Sequence, residues 1–381
     1  MQKYADAHIR AQSHDVYNLD FNPWLACLRG VSVLLVLFFH TSLPGLQSGY
    51  LGVDIFFALS GYFITTSLLK SQSRGQLQFR QFYWRRFLRL FPALALVVLT
   101  FVLVSPWLSL PQDRWNSLIA ALGYVSNWTR VAWPSVPAYF GHSWSLAVEE
   151  QFYLLWPIIL GLTLKFCSLR QAALVALGIA IASASTRAAL AVGGTTVDRL
   201  YNGLDVRADG LLLGCALALA TFKDPIALGK IKKIAAVGLL FLGPAFLFLL
   251  TTAPYDAPWM FHYGYFLAAL AATGIIAVSI PRGPVRKIKW LAPLLFLGEI
   301  SYGLYLWHYP ITLEMRLLGY HPIVQSVCVF GLSTVAASLS YYFVERPISR
   351  MRNAKNGDRM GAVTLVLNLS AMAFAFWFFW H

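Results

Sequence analysis

The sequence predicts an all-α protein that crosses a membrane many times as a polytopic helical bundle. Hydrophobic residues make up 58% of the 381-residue chain and charged residues only 12%, a composition more apolar than that of soluble globular domains. Apolar stretches close to the roughly 20 residues that a bilayer requires recur along the whole chain. The alternating apolar and polar segments of a membrane β-barrel are missing.

Eleven apolar stretches are candidate membrane spans. Residues 1–22 precede them; they are polar and lack the apolar core of a cleavable signal peptide, so we interpret them as a short cytosolic arm. Two stretches, 144–164 and 206–222, are interrupted by charged residues. The predicted spans are 24–43, 51–69, 91–108, 144–164, 171–191, 206–222, 234–252, 261–280, 293–312, 322–344 and 361–380.

The distribution of basic residues predicts the orientation. Lys and Arg total 30, and 24 of them fall on one side of the membrane if the amino terminus is cytosolic. Basic residues accumulate in cytosolic loops, so we expect 70–90 inside, and the longest loop, 109–143, and the carboxyl terminus outside. Anchoring against anionic lipid accounts for the net charge of +14, and no nucleic-acid partner is predicted.

The four cysteines indicate packing rather than chemistry. Each lies in or beside an apolar stretch, and their spacing is not that of a metal site. We therefore predict no metal. The cysteines are Cys27, Cys167, Cys215 and Cys328.

Ionisable residues within apolar stretches are the first candidates for a functional site, because a charge inside a bilayer is costly. Arg29 and His40 share the first predicted helix, where eleven residues correspond to about three turns and a rise of about 16 Å, so both lie near one face. Asp54 enters the second stretch, in a position to orient His40 as a general base. The alternatives are an interfacial histidine at a helix end and a carboxylate at the outer interface.

A basic segment follows the second span. At helical spacing Arg85 and Arg89 share a face and Arg86 lies one step round, so their guanidinium groups suit a pyrophosphate. A cytosolic anchor explains the same residues equally well.

Charged residues also interrupt two later spans. Glu149 and Glu150 lie in the first turns of one helix, where stabilisation by the helix dipole is the alternative to a place on a cavity. Arg207 and Asp209 lie two residues apart at the start of another, where a structural ion pair is the simplest interpretation.

The stretch 301–310 carries a polar seam. Ser301, Tyr305 and His308 share one helical face, with Tyr302 and other aromatic residues beside them. A seam of this kind suits a sugar or an acyl chain.

Seven motifs in order closely resemble the acyltransferase-3 family of integral membrane O-acyltransferases. They are Arg29-x10-His40, GYLGVDIFFALSGYFITT at 49–66, RRFLRLFP at 85–92, HSWSLAVEEQFYLLWP at 142–157, DVRADGLLLG at 205–214, SYGLYLWHYPI at 301–311 and Glu345-Arg346-Pro347.

The resemblance implies an organisation and an activity. It implies a transmembrane acyltransferase domain of ten core helices at 23–348, leaving a basic cytosolic loop at 349–360 and an additional helix at 361–381. The family moves an acyl group, usually acetyl from cytosolic acetyl-CoA, to a hydroxyl of an extracytoplasmic glycan, which predicts a protein of the bacterial inner membrane. Some members add an SGNH esterase-like domain, for which a chain ending at His381 leaves no room.

The resemblance also assigns roles. Arg29 and His40 match the family's essential pair, Arg86 and Arg89 its RxxR motif, and Glu149 or Glu150 its WSLxxE acid. A thioester donor needs a base for the acceptor hydroxyl, stabilisation of the developing charge and a grip on the CoA phosphates.

We predict His40 as the base, or as a transient acyl carrier. The motifs G-x-S-x-G, H-x4-D and H-E-x-x-H are absent. The rival class is a transporter or flippase for a lipid-linked saccharide, which also uses buried charges; the lack of an obvious inverted repeat argues against it. We assign Arg207, Asp209, Tyr302, Tyr305 and His308 to acceptor binding.

The predicted orientation can be tested with single cysteines at Ser73 and Ser135 in a cysteine-free background. We expect a membrane-impermeant thiol reagent on intact cells to label position 135 and to label position 73 only after permeabilisation. Labelling of both positions from the same face would contradict the topology.

Overall fold

The computed structural model describes residues 22–380 except 42–44, 46, 74, 76–77, 282–288 and 350–356. The predicted cytosolic arm and most of the predicted basic loop at 349–360 lie outside the described residues. Within the described residues the chain is helical and has no β-strand, which confirms the all-α prediction.

The α-helices are named in chain order. They are α1 (Pro23–His40), α2 (Gly52–Gln72), α3 (Phe79–Val104), α4 (Arg114–Leu122), α5 (Ser126–Ala132), α6 (Trp144–Phe166), α7 (Leu169–Val192), α8 (Val197–Asn202), α9 (Leu204–Thr221), α10 (Pro225–Thr252), α11 (Tyr265–Ser279), α12 (Ala292–Glu299), α13 (Ser301–Leu317), α14 (Pro322–Ser340), α15 (Arg346–Ser349) and α16 (Gly357–Trp380). Short π-helical segments, Met260–Gly264 and Tyr341–Glu345, precede α11 and follow α14.

Eight helical segments in the described part of the chain are long and apolar enough to cross a membrane. This confirms a polytopic helical bundle. They correspond to α1, α2, α3, α7, α10, α11, α14 and α16 with their short extensions.

The other three predicted spans also form helices. They are not among the eight long apolar segments, because charged residues or an interruption of the helix divide them. Acidic residues interrupt α6, both signs of charge interrupt α9, and Ile300 separates α12 from α13. Two of these helices, α6 and α13, carry most of the polar residues of the candidate site, and polar residues lower the apolar character of a span.

Side-chain caps define several helix starts. The Asn22 side chain accepts a bond of 3.0 Å from the Trp24 amide at the start of α1. Asp224 caps α10 through the Ala227 amide at 2.8 Å. These side chains satisfy amides that the first turn of a helix leaves without an internal partner.

The predicted basic segment is part of a helix. The span expected at 91–108 starts earlier, because α3 begins at Phe79 and continues through Pro92. Arg86 and Arg89 are therefore fixed one turn apart on the end of α3 that precedes its most apolar part.

Close backbone contact joins α2 to α9. A Cβ at Gly61 would lie 1.8 Å from the Leu211 carbonyl oxygen, and one at Gly214 would lie 2.0 Å from that of Ala58. Small residues let membrane helices approach in this way, where van der Waals packing drives association. The pair forms the centre of the bundle.

Gly61→Ala should therefore destabilise the protein, since the new methyl group meets backbone rather than a side chain that can move. Overpacking of this kind costs about 1–3 kcal/mol or more. We expect a lower apparent Tm for the purified protein in detergent.

Gly178→Ala is the matched control. A Cβ at Gly178 in α7 meets nothing within 4 Å, so alanine should hold or slightly raise the Tm through its better helix propensity. Equal Tm values for the two variants would show that the α2–α9 contact is looser than described.

Candidate functional site

Two groups of polar residues lie at different depths along α1. Arg29 lies in its first half, and its Nη2 donates a hydrogen bond of 2.8 Å to the Ser301 Oγ on α13. His40 is its last residue, about 16 Å further along the axis. The candidate site therefore extends along α1 from Arg29 to His40.

A cavity of about 80 Å³ opens beside Arg29. Its volume is enough for several water molecules or a small acyl group, but not for a nucleotide. Its polar lining residues are Arg29, Ser60, Arg86, Arg89, Ser145, Glu149, Tyr153, Ser301, Tyr302 and Tyr305.

The cavity brings together predicted residues from four helices. Arg29, Arg86 and Arg89 contribute three guanidinium groups, and Glu149 is the single carboxylate in the lining. Arg89 is exposed to solvent, so the basic wall reaches the mouth of the cavity. An excess of arginine over carboxylate favours an anion there.

Tyr153 organises the acidic side of the cavity. Its ring stacks beneath the Arg86 guanidinium, whose Cζ lies 3.6 Å from the ring centroid. The Tyr153 hydroxyl bonds to Ser60 Oγ, and both hydroxyl groups face Glu149. Stacking of this kind holds an arginine in place while leaving its N–H groups available.

Two predicted residues, Arg85 and Glu150, and one residue that was not predicted, Glu345, lie outside the cavity lining. Arg85 is exposed and is not part of the cavity lining, so its place in phosphate binding stays a prediction. Glu150 is buried behind the lining, and within the described residues its Oε1 has no hydrogen-bond partner. Glu345, which the site prediction left out, receives a bond of 3.0 Å from Ser340 and interacts with Arg29 and Arg89.

A histidine cluster surrounds the end of α1. The His308 Nε2 lies 3.1 Å from the His40 Nδ1, and the two ring centroids are 5.1 Å apart. His142, from the turn before α6, lies 5.3 Å from the His308 ring and stacks on Tyr309 at 4.8 Å. His40 is half-buried, whereas His142 and His308 are buried.

His142 was missed by sequence reasoning, although it begins one of the quoted motifs. Burial, together with its two histidine neighbours, lowers the pKa of His142 well below its usual value, so the ring stays neutral. Within the described residues neither ring nitrogen has a hydrogen-bond partner.

Tyr305 separates the cavity from the histidine cluster. Its hydroxyl donates a bond of 2.8 Å to the His142 carbonyl oxygen and lies 2.6 Å from Ser145 Oγ. Tyr305 also lines the cavity and lies 5.5 Å from the His308 ring. The predicted seam of Ser301, Tyr305 and His308 thus runs from one polar group to the other.

Asp54 does not contact His40. Its Oδ1 accepts a bond of 3.0 Å from the Arg207 Nη2, and both side chains are almost fully buried. The partner of the His40 ring is His308 instead. The predicted orienting contact between Asp54 and His40 is therefore replaced by a buried ion pair between α2 and α9.

The expected ion pair between Arg207 and Asp209 is also wrong. Residues two apart on a helix point to nearly opposite sides, and Asp209 pairs with Arg187 of α7 at 2.7 Å. Arg187, which sequence reasoning left unassigned, also donates to the carbonyl oxygens of Val206 and Phe261. Arg207 and Asp209 do not line the cavity, so their role in acceptor binding stays a prediction.

The segment 109–143 covers the histidine end of the bundle. Tyr139 donates through its hydroxyl to the Glu314 carboxylate at 2.5 Å and through its amide to Asp113 at 3.1 Å. Burial, reinforced by the bond to Glu314, raises the pKa of Tyr139 above its usual value. The bond to Glu314 ties the cover to the far end of α13, and the bond to Asp113 lies within the cover.

Comparison with known proteins identifies relatives across most of the chain. The family model described as an acyltransferase domain, that of acyltransferase-3, matches residues 22–343. The chain is 34% identical over 353 residues to the peptidoglycan O-acetyltransferase OatA of Listeria monocytogenes, covering 88% of this chain and 57% of that protein. It is also 34% identical over 357 residues to the O-acetyltransferase OatA of Staphylococcus aureus, with 88% and 58% covered.

Three further facts complete the comparison. The chain spans somewhat more than half the length of the curated relatives that it matches. No solved structure gives a significant match. The helix α16 lies beyond the residues that the family model matches.

Proposed function

The chain belongs to the acyltransferase-3 family, and from that premise we propose that it moves an acetyl group from acetyl-CoA to a hydroxyl of an extracytoplasmic glycan. The donor would bind from the cytosolic side of the inner membrane and the acceptor from the outer side. The relatives named above act on peptidoglycan or carry the broader name O-acetyltransferase, so a peptidoglycan sugar is the acceptor that we propose.

One observation carries this proposal: a basic cavity and a half-buried imidazole lie at different depths of one helix, joined by the polar seam of α13. A donor that is an anion at one end and a thioester at the other fits such an arrangement. An acceptor that arrives from the opposite side would meet His40 and the cover formed by 109–143.

The basic wall suits the phosphates of CoA. Planar guanidinium groups bind phosphate through paired N–H donors. A cavity of about 80 Å³ is too small for a nucleotide, so the phosphates would rest at the exposed Arg89. The arm of the donor would extend inward past Arg86 and along the seam of α13, which would bring the thioester to His40. Arg29 then lies deeper, beside Ser301.

Acetyl transfer requires one proton to move. As the acceptor oxygen attacks the thioester carbonyl carbon, its proton passes to the His40 imidazole, and the new C–O bond replaces the C–S bond. The imidazolium then returns the proton to the departing CoA thiolate. A neutral imidazole can accept a proton on its free nitrogen and release it again, so it is suited to both steps.

Loss of Arg86 and Arg89 should weaken donor binding. We expect the double change Arg86→Ala and Arg89→Ala to reduce CoA affinity by roughly tenfold to a hundredfold for each arginine, because a hydrogen bond to a charged group contributes about 1.5–3 kcal/mol. Lysine at both positions should restore only part of the CoA affinity, since lysine lacks the planar guanidinium group with its paired N–H donors. Isothermal titration with CoA measures the effect.

Arg80→Ala is the matched control, because Arg80 is an exposed arginine in the first turn of the same helix. It should leave CoA affinity unchanged. If the double alanine variant binds CoA like the wild type, the cluster serves only as a cytosolic anchor.

His40→Ala and His40→Gln should both abolish transfer while CoA binding and Tm are retained. Glutamine keeps hydrogen-bonding groups but cannot carry the proton, so we expect a loss on the order of 10² to 10⁴ in rate for each variant. The measurement is acetylation of peptidoglycan fragments, with release of the CoA thiol, by purified protein in proteoliposomes.

His262→Gln is the control, since His262 is an exposed histidine before α11, and it should transfer at the wild-type rate. Transfer by the His40 variants within a few-fold of wild type, at equal CoA affinity, would move base catalysis to Glu149 or Glu150. A wild-type protein that binds saccharide but neither consumes acetyl-CoA nor acetylates it would favour a transporter.

A further inference from the structure

His308 is held in one orientation by contacts on both sides of its ring. Its Nδ1 lies 3.2 Å from the Leu304 carbonyl oxygen, and its Nε2 lies 3.1 Å from the His40 Nδ1. The side chain is fully buried, and the rings of Tyr305 and His142 lie 5.5 Å and 5.3 Å away. The ring therefore has a fixed partner at each nitrogen.

The Leu304 contact decides where the protons lie. A carbonyl oxygen can only accept, so the His308 Nδ1 carries the hydrogen. A neutral imidazole has one N–H, which leaves the His308 Nε2 as an acceptor. The His40 Nδ1 must then be the donor in the bond between the two rings, and the lone pair of His40 is left on Nε2.

We infer that His308 is a positioning residue that fixes His40 in the tautomer whose Nε2 can accept a proton. This inference rests on the proposed function, because it gives His308 a role in the same transfer reaction. Among the described residues no protein group bonds to the His40 Nε2, and the residue is half-buried, so this nitrogen is free to meet an acceptor hydroxyl.

A second contact from α13 supports this role. The Arg316 Nη2 donates a bond of 2.5 Å to the His40 backbone carbonyl oxygen, two turns beyond His308. Helix α13 thus holds both the ring and the backbone of His40. A residue held at two points keeps its ring aimed in one direction, which a proton acceptor in a transfer reaction needs.

The contact between His308 and His40 also explains why no carboxylate orients His40. In many hydrolases a buried carboxylate fixes the tautomer of the catalytic histidine, but an additional buried charge is costly here. The carboxylate on the neighbouring helix, Asp54, is already paired with Arg207. A neutral imidazole bonded to a backbone carbonyl selects the same tautomer without a charge.

The tautomer can be measured directly. In protein labelled with ¹⁵N-histidine, we expect the wild-type His40 Nε2 to resonate as an unprotonated ring nitrogen and its Nδ1 as a protonated one, at a pH where the ring is neutral. The spectrum of His40→Gln assigns the His40 signals by difference. A protonated Nε2 in the wild type would overturn the inference, even if every His308 variant failed to fold.

Variants of His308 connect the tautomer to the rate. His308→Phe removes the acceptor, so the His40 Nε2 should become protonated in a large share of molecules and transfer should fall by roughly 10² or more. His308→Gln places an amide oxygen within reach of the His40 Nδ1. It should retain part of the transfer rate and part of the NMR signature, which is the signal of an unprotonated His40 Nε2. Across the three proteins, the rate should follow the fraction with unprotonated Nε2.

Thr312→Val is the matched control. Thr312 is buried and lies one helical turn after His308, and its hydroxyl donates to the His308 carbonyl oxygen at 2.7 Å. It should keep both the signature and the rate. Loss of transfer in His308→Phe with an unchanged His40 signature would give His308 a purely structural role. A wild-type protein that transfers nothing would refute the proposed function instead, while the tautomer measurement would still stand.

Discussion

Paired charge in the interior is the constraint on which the structure depends. Arg187 pairs with Asp209, and Arg207 pairs with Asp54, in side chains that are almost fully buried. A buried pair is weak evidence of stability, but removing one partner leaves an uncompensated charge and costs about 3–5 kcal/mol. These pairs connect α2, α7 and α9, and the glycine contacts between α2 and α9 bring the backbones close enough to form them.

The same constraint makes the basic cavity unusual. The interior pairs are balanced one to one, whereas the cavity lining has three arginines and one glutamate. Glu345 interacts with two of those arginines from behind the lining. Unpaired positive charge at the solvent-exposed mouth of the cavity destabilises the fold little, because water solvates it. The same charge lowers the free energy of binding an anion. Under the proposed function, fixed pairs build the frame, while the unbalanced charge binds the anionic donor.

Hydropathy and helical periodicity predicted the parts of the molecule that are local in sequence. The positions of the helices follow from apolar length, and the alignment of Arg29 with His40 follows from the helical repeat. The partners of charged residues did not follow, because Asp54 and Arg207 are 153 residues apart and His40 and His308 are 268 apart. Such pairs depend on which helices become neighbours, and one sequence carries no signal for that. The error at Arg207 and Asp209 came from assuming that a partner lies nearby in sequence.

In the proposed transfer, the two histidines divide one task according to their environments. His40 ends its helix and is half-buried, so it can meet a molecule from outside, while His308 is fully buried and bonded on both sides. An exposed imidazole alone would sample both tautomers and several ring orientations. A buried imidazole alone could not reach an acceptor. Joining them places the exact proton arrangement in the rigid interior and the reactive nitrogen at the surface, without adding a charge to the apolar core.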